Sequence, residues 1–160
     1  MRTDHLRHFL ELSMESIERL SDELGYPITK EDYYVEHLGC PHKQPSNLPK
    51  GYAAVYIFIY VEEKGDAITS QFLKIGKANA KSNARFVSQH YGFNAKSTLA
   101  RSLCEDPDFR GVNVENVKKW MLNNLCRINI LIKEECGKAA TELIESVLHY
   151  QYRPKYEGNI

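Results

Sequence analysis

The sequence predicts an α+β domain in which a small three-stranded sheet is flanked by helices, preceded by an N-terminal helical extension. Three observations predict it. An apolar stripe recurs every three or four residues through the first 25 positions. A run rich in Val, Ile, Tyr and Phe at 53–61 is followed, after a polar tip, by a second strand-like run at 71–75. Late in the chain, an alternating segment at 127–133 leads into a helical pattern at 138–151.

The stripe consists of Leu6, Phe9, Leu10, Met14, Ile17, Leu20 and Leu24. It begins after Thr3 and Asp4, which can cap a helix, and ends at Gly25 before Pro27. Between 26 and 50 the period disappears and four of the six prolines occur, which predicts an irregular connector rather than a further element. Residues 1–48 therefore read as an appendage and 49–160 as the main domain. In the first strand, alternation places Val55, Ile57 and Ile59 on one side and Tyr56, Phe58 and Tyr60 on the other. Polar residues Glu62, Glu63, Lys64, Gly65 and Asp66 predict a loose hairpin loop. After Gly76, helices are expected at 82–91, 98–103 and 114–125, with breaks at Asp106, Pro107 and Gly111. The final helix stops before Pro154, and the order is ββα(α)(α)βα.

A chain of 160 residues, 42% hydrophobic and 26% charged, has room for one complete globular domain. Its longest apolar stretch, 52–61, is far shorter than the roughly 18 residues of a membrane span, and the early Asp and His are unlike a secretion signal. A cytoplasmic protein with no membrane partner is the expectation. Cys40, Cys104, Cys126 and Cys136 form no C-x-x-C pair, which fits reduced structural thiols. The net charge of zero conceals a pattern: residues 1–42 hold 4 Lys+Arg against 9 Asp+Glu, 43–101 hold 9 against 3, and 102–160 hold 8 against 9. A basic middle suits a polyanion, although the same lysines would suit a solvated surface. The acidic N-terminal helix suits packing on the main domain, or on a second copy of itself, better than contact with DNA.

The stretch richest in chemistry is Ala54-Val55-Tyr56 on one strand, Lys74-Ile75-Gly76-Lys77-Ala78 closing the next, and Arg85 on the helix that follows. Far downstream come Glu145 on the last helix and Arg153-Pro154-Lys155-Tyr156 just after it. In these residues, their order and their intervals, positions 50–157 resemble the GIY-YIG nuclease superfamily. Ala-Val-Tyr stands for the first motif and Lys-Ile-Gly for the second. The run LKIGKANAKSNAR is similar to the second-motif region of the excision-repair incision nucleases. Lys74 occupies the place of the second-motif tyrosine, Ala54 that of the first-motif glycine, and Asn159 lies five residues after Pro154 where the family's asparagine follows by about three. The resemblance implies a ββαβα core and a metal-dependent endonuclease. Tyr56 would be its general base, Arg85 and Lys77 would stabilise the phosphate with help from Lys74, and Glu145 would be the ligand of one Mg²⁺ (or Mn²⁺). DNA is the expected polymer, cut to leave a 5′-phosphate and a 3′-hydroxyl.

The residues also support a physical reading. Phosphodiester hydrolysis needs a proton acceptor for water, positive charge on the developing pentacovalent phosphate and a metal near the leaving oxygen. Tyr56 can serve as base only if nearby cations pull down its phenol pKa, about 10 when unperturbed; otherwise it is a packed strand aromatic. Arg85 offers a bidentate fork for phosphate oxygens. Helical geometry selects the carboxylate: at 100° per residue, Glu145 lies about 60° beyond Leu148 on the shoulder of the apolar face, while Glu142 is near the opposite pole. His90 can assist proton transfer or bind phosphate, or simply close its helix. His37, Cys40 and His42 are compact enough for zinc but lack a fourth ligand. The rival to an endonuclease is a catalytically impaired module of the same fold that binds nucleic acid or a protein partner, with Lys74 as the mark of lost chemistry.

Overall fold

The computed structural model describes residues 4–95 and 97–157. It contains α1 (Asp4–Glu23), β1 (Tyr33–Gly39), β2 (Tyr52–Lys64), β3 (Ala67–Ala78), α2 (Asn83–Val87), α3 (Leu99–Glu105), α4 (Val117–Asn124), β4 (Leu125–Lys133) and α5 (Lys138–Tyr152), with short 3₁₀ turns at Gln89–Tyr91, Pro107–Phe109 and Glu134–Cys136. The strands form one antiparallel sheet in the order β1-β4-β2-β3. The sheet is thus four-stranded, not three-stranded as the sequence suggested.

The additional strand comes from the supposed connector. Tyr33 to Gly39 pairs with β4, Val35 opposite Ile130, and packs Tyr33 and Val35 on the core. As an edge strand it is only partly buried and includes Glu36 and His37, so its apolar alternation is faint and the prolines around it dominate the local signal. The hairpin differs too: β2 and β3 pair out to Lys64 opposite Ala67, leaving a tight turn at Gly65 and Asp66 where a loose loop was expected. Gly65 has φ +62°, a value that suits this turn.

β2 is buried because both of its faces are covered. Val55, Ile57 and Ile59 join Leu6, Leu10, Met14 and Ile17 of α1 and Ile144 and Leu148 of α5 in one core. Ala54, Tyr56 and Phe58 join residues of α3 and α4 in a second core on the other face. The alternation expected for β2 is therefore present, and the N-terminal helix shares a core with the sheet. Of the two expected cap residues, Thr3 lies outside the described residues and Asp4 is the first residue of α1. At the far edge, a bulge in β3 between the pairs Phe58–Lys74 and Ile59–Phe72 leaves Leu73 extra. Phe72 consequently stacks on Tyr152 of α5, with centroids 4.2 Å apart, while Lys74 faces the second core. Beyond α5 the chain returns along β3, Lys155 N donating to Phe72 O and Tyr156 N to Leu73 O, both at 2.9 Å. Among the described residues no helix is long and apolar enough to cross a membrane.

Candidate active site

Tyr56 lies in the middle of β2 opposite Gly76 of β3, with its ring folded across the glycine. A Cβ at position 76 would meet the Tyr56 hydroxyl at 2.5 Å and its ring carbons at 2.6–2.8 Å, so the absence of a side chain there gives the ring its place. The ring is fully buried, and two groups reach its oxygen. His90 Nε2 is 2.5 Å away and Arg85 Nε 3.3 Å away.

The proton positions follow from the next neighbour. Leu99 N, at the start of α3, donates to His90 Nδ1 at 3.2 Å, so that nitrogen is the unprotonated one. Burial, followed by the charges of Lys74, Arg85 and Arg127, holds the His90 pKa down at about 3, and the ring is neutral. Its remaining proton is therefore on Nε2 and is donated to Tyr56. Arg85 donates as well, and the phenol oxygen accepts from both while its own hydrogen is left over. Burial raises the Tyr56 pKa above its usual value, opposed by the hydrogen bond and charge of Arg85 and by the charge of Arg127. Two donors on one oxygen is an arrangement that stabilises a phenolate, set against burial that resists it.

The other expected residues divide between the two faces of the sheet. Lys74 pairs with Phe58 and shares the face of Tyr56. It is almost fully buried, which with the charge of Arg85 lowers its pKa, while Glu145 acts in the opposite direction. Glu145 is half-buried on the shoulder of α5, as its helical phase predicts, and its charge is felt by Tyr56, Lys74 and Arg85. Lys77 pairs with Val55 and so belongs to the opposite face, where its Nζ lies 3.3 Å from Glu142 Oε1. Tyr56, Arg85 and His90 are joined by hydrogen bonds, Lys74 shares their face, Glu145 acts on Tyr56, Lys74 and Arg85 through its charge from α5, and Lys77 is not among them. Asn159 lies outside the described residues.

Arg127 of β4 is the residue that sequence reasoning missed. It is almost completely buried behind Tyr56, its guanidinium 4.9–5.8 Å from the ring centroids of Phe58, Phe86, Tyr56 and Tyr91. It donates to Asn129 Oδ1 (2.9 Å), Tyr91 Oη (3.1 Å) and Phe86 O (2.6 Å). Asn129 Nδ2 donates in turn to Glu36 Oε1 at 2.9 Å, so the nearest acid in this chain of bonds is one residue removed. On the other side, His42 Nδ1 lies 2.5 Å from Leu125 O and must carry the proton, leaving Nε2 to accept from Tyr91 Oη at 2.7 Å. The signal was an arginine inside a mostly aliphatic strand, LCRINILIK. These bonds occupy both nitrogens of His42, and among the described residues no three His, Cys, Asp or Glu side chains gather as a metal site. The zinc grouping of His37, Cys40 and His42 is therefore not formed. A single carboxylate such as Glu145 still suits Mg²⁺, which commonly keeps several waters and binds through one or two carboxylates together with substrate phosphates.

No family model, curated protein or solved structure matches this chain.

Proposed function

We propose that the protein is a metal-dependent endonuclease that hydrolyses phosphodiester bonds in nucleic acid, DNA being the expected polymer, with Tyr56 as general base. The observation that carries this reading is the phenol oxygen of Tyr56 receiving N–H donors from a neutral His90 and from Arg85, with Lys74 on the same face and the charge of Glu145 acting on it from α5. Such an oxygen, once ionised, can take a proton from water, and the water oxygen then attacks phosphorus in line with the departing 3′-oxygen. Arg85 is exposed and covers the phenol. Transfer of its guanidinium to the non-bridging phosphate oxygens would uncover the base and place charge where the transition state develops it. Lys74 adds a second cation on the same face. Glu145 would hold Mg²⁺ or Mn²⁺, which supplies Lewis-acid stabilisation of the leaving oxygen.

Complete burial of Tyr56 favours a second reading, a binding module of this fold without turnover. The two are separated by incubating the protein with single-stranded, duplex and branched DNA and RNA, with and without Mg²⁺ or Mn²⁺. The endonuclease reading expects metal-dependent cleavage that Tyr56→Phe lowers by about 10²- to 10⁴-fold with little change in substrate binding. It also expects a rate that climbs with pH, because the base must ionise against its burial. No cleavage of any of these polymers, or equal rates for Tyr56→Phe and the wild type, would hand the site to the binding module. Phe9 and Leu12 remain about half exposed on α1, which supports self-association through that helix as a further proposal.

A further inference from the structure

The segment 41–50, between β1 and β2, does more than join two strands. Gln44 Nε2 donates to Val87 O at 3.0 Å, Leu48 N to Asn83 Oδ1 at 2.8 Å, and Asn83 Nδ2 to Asn47 Oδ1 at 3.2 Å. Its start is tied down as well, by His42 N to Leu122 O at 2.9 Å. These bonds fasten the segment to both ends of α2, and Arg85 lies between the two ends on that helix. The strip is polar and outward-facing: Lys43, Ser46, Asn47, Lys81, Asn83 and Arg85 are all exposed.

Its charge is one-sided. Residues 43–61 and 67–104 contain no Asp or Glu, while they hold Lys43, Lys50, Lys74, Lys77, Lys81, Arg85, Lys96 and Arg101. Among the described residues Lys43 and Lys81 enter no ion pair. The nine acids of residues 1–42 belong largely to α1, which packs on the other face of the sheet. Exposed cations on a strip that hydrogen bonds fasten to α2 suit the phosphates of a nucleic-acid backbone.

We propose that segment 43–48 and α2 together form the docking strip for the phosphate backbone of the nucleic acid, leading it to Arg85 and the site beneath. The inference rests on the reading of that site as one that meets nucleic acid. It predicts contacts to phosphate oxygens from Lys43 and Lys81, with the amides of Asn47 and Asn83 available as hydrogen-bond donors.

The test is equilibrium binding of short duplex DNA by the full chain in EDTA, across a range of salt concentrations. The Lys43→Glu/Lys81→Glu double variant is compared with Arg19→Glu/Lys30→Glu, which makes the same change in net charge at exposed positions in the acidic N-terminal region. The expected result is that the strip variant binds about tenfold or more weakly at moderate salt, with a salt slope shallower by about two, while the control binds nearly as the wild type. The Lys43→Gln/Lys81→Gln pair should show the same direction at smaller size. A strip variant that binds like the wild type or like the control overturns the proposal. Wild-type protein that binds in this way yet never cuts would keep the strip and remove the endonuclease. Wild-type protein whose cutting and binding are untouched by the strip substitutions would keep the endonuclease and remove the strip.

Discussion

On the face of the sheet covered by α1 and α5, β2 contributes Val55, Ile57 and Ile59, and β4 contributes Ile128, Ile130 and Ile132. On the opposite face the same strands contribute Tyr56, Phe58, Arg127 and Asn129, each opposite its partner in the ladder: Tyr56 with Asn129, Phe58 with Arg127. The first face needs only complementary hydrocarbon shapes, and a small change in volume is absorbed by neighbours of the same kind. In the second, polar atoms satisfy one another in sequence, from His42 through Tyr91 and Arg127 to Asn129 and Glu36, with Tyr56, His90 and Arg85 beside them. Removing one member there strands others in a place water does not reach. A buried network of this kind is poor economy for stability alone, which is why its position beside Tyr56 bears on function.

The largest expected effect is on the proposed activity. Glu145, whose charge acts on Tyr56 and Lys74, and Glu142, paired with Lys77, lie about one turn apart on α5. On the proposed endonuclease reading, Glu145→Ala abolishes metal-dependent cleavage while substrate binding persists and Glu142→Ala is nearly silent, as assayed by cleavage with Mg²⁺ alongside binding in EDTA. The opposite ranking would make Glu142, not Glu145, the proposed metal ligand.

A stability comparison is next in size. Arg127→Ala removes the donors to Asn129, Tyr91 and Phe86 O and empties a space among four rings, so it should cost about 3–5 kcal/mol. Ile130→Val, its counterpart on the aliphatic face, should cost about 1 kcal/mol. Denaturant melts of both would show the contrast; equal losses would mean that the polar network is no more demanding than packed hydrocarbon.

Per pH unit, the smallest of the three effects is set by the protonation of His90. His90 has a folded-state pKa near 3, against about 6.5 for an unperturbed histidine, chiefly because of burial. Between these values the unfolded chain binds the extra proton. The stability gained by keeping His90 neutral is thus complete above about pH 6.5 and is lost as pH falls toward 3, at up to about 1.4 kcal/mol per pH unit. Thermal melts from neutral to acidic pH should therefore fall more steeply for the wild type than for His90→Gln. Parallel curves would place the acid sensitivity elsewhere.

Local pattern was sufficient for several of these features because their determinants are near in sequence. The stripe from Leu6 to Leu24 has a period that only a helix satisfies, the alternation of Val55 with Tyr56 and Ile57 with Phe58 assigns two faces, and the phase of Glu145 relative to Leu148 puts it on the shoulder of α5. Even the separation of the two lysines was open to the same logic, since positions 74 and 77 differ by an odd number and a strand turns them to opposite faces. What tertiary structure alone decided depends on partners distant in the chain. Tyr33 to Gly39 is a strand because β4 offers it a free edge, not because its own residues alternate. The bulge at Leu73 turns Phe72 toward Tyr152, some 80 residues away, a choice the run of Phe72, Leu73 and Lys74 cannot express. Arg127 can be buried only where Phe58, Phe86, Tyr91 and Asn129 converge from three parts of the chain, because a buried charge is tolerable only when all of its partners are present at once.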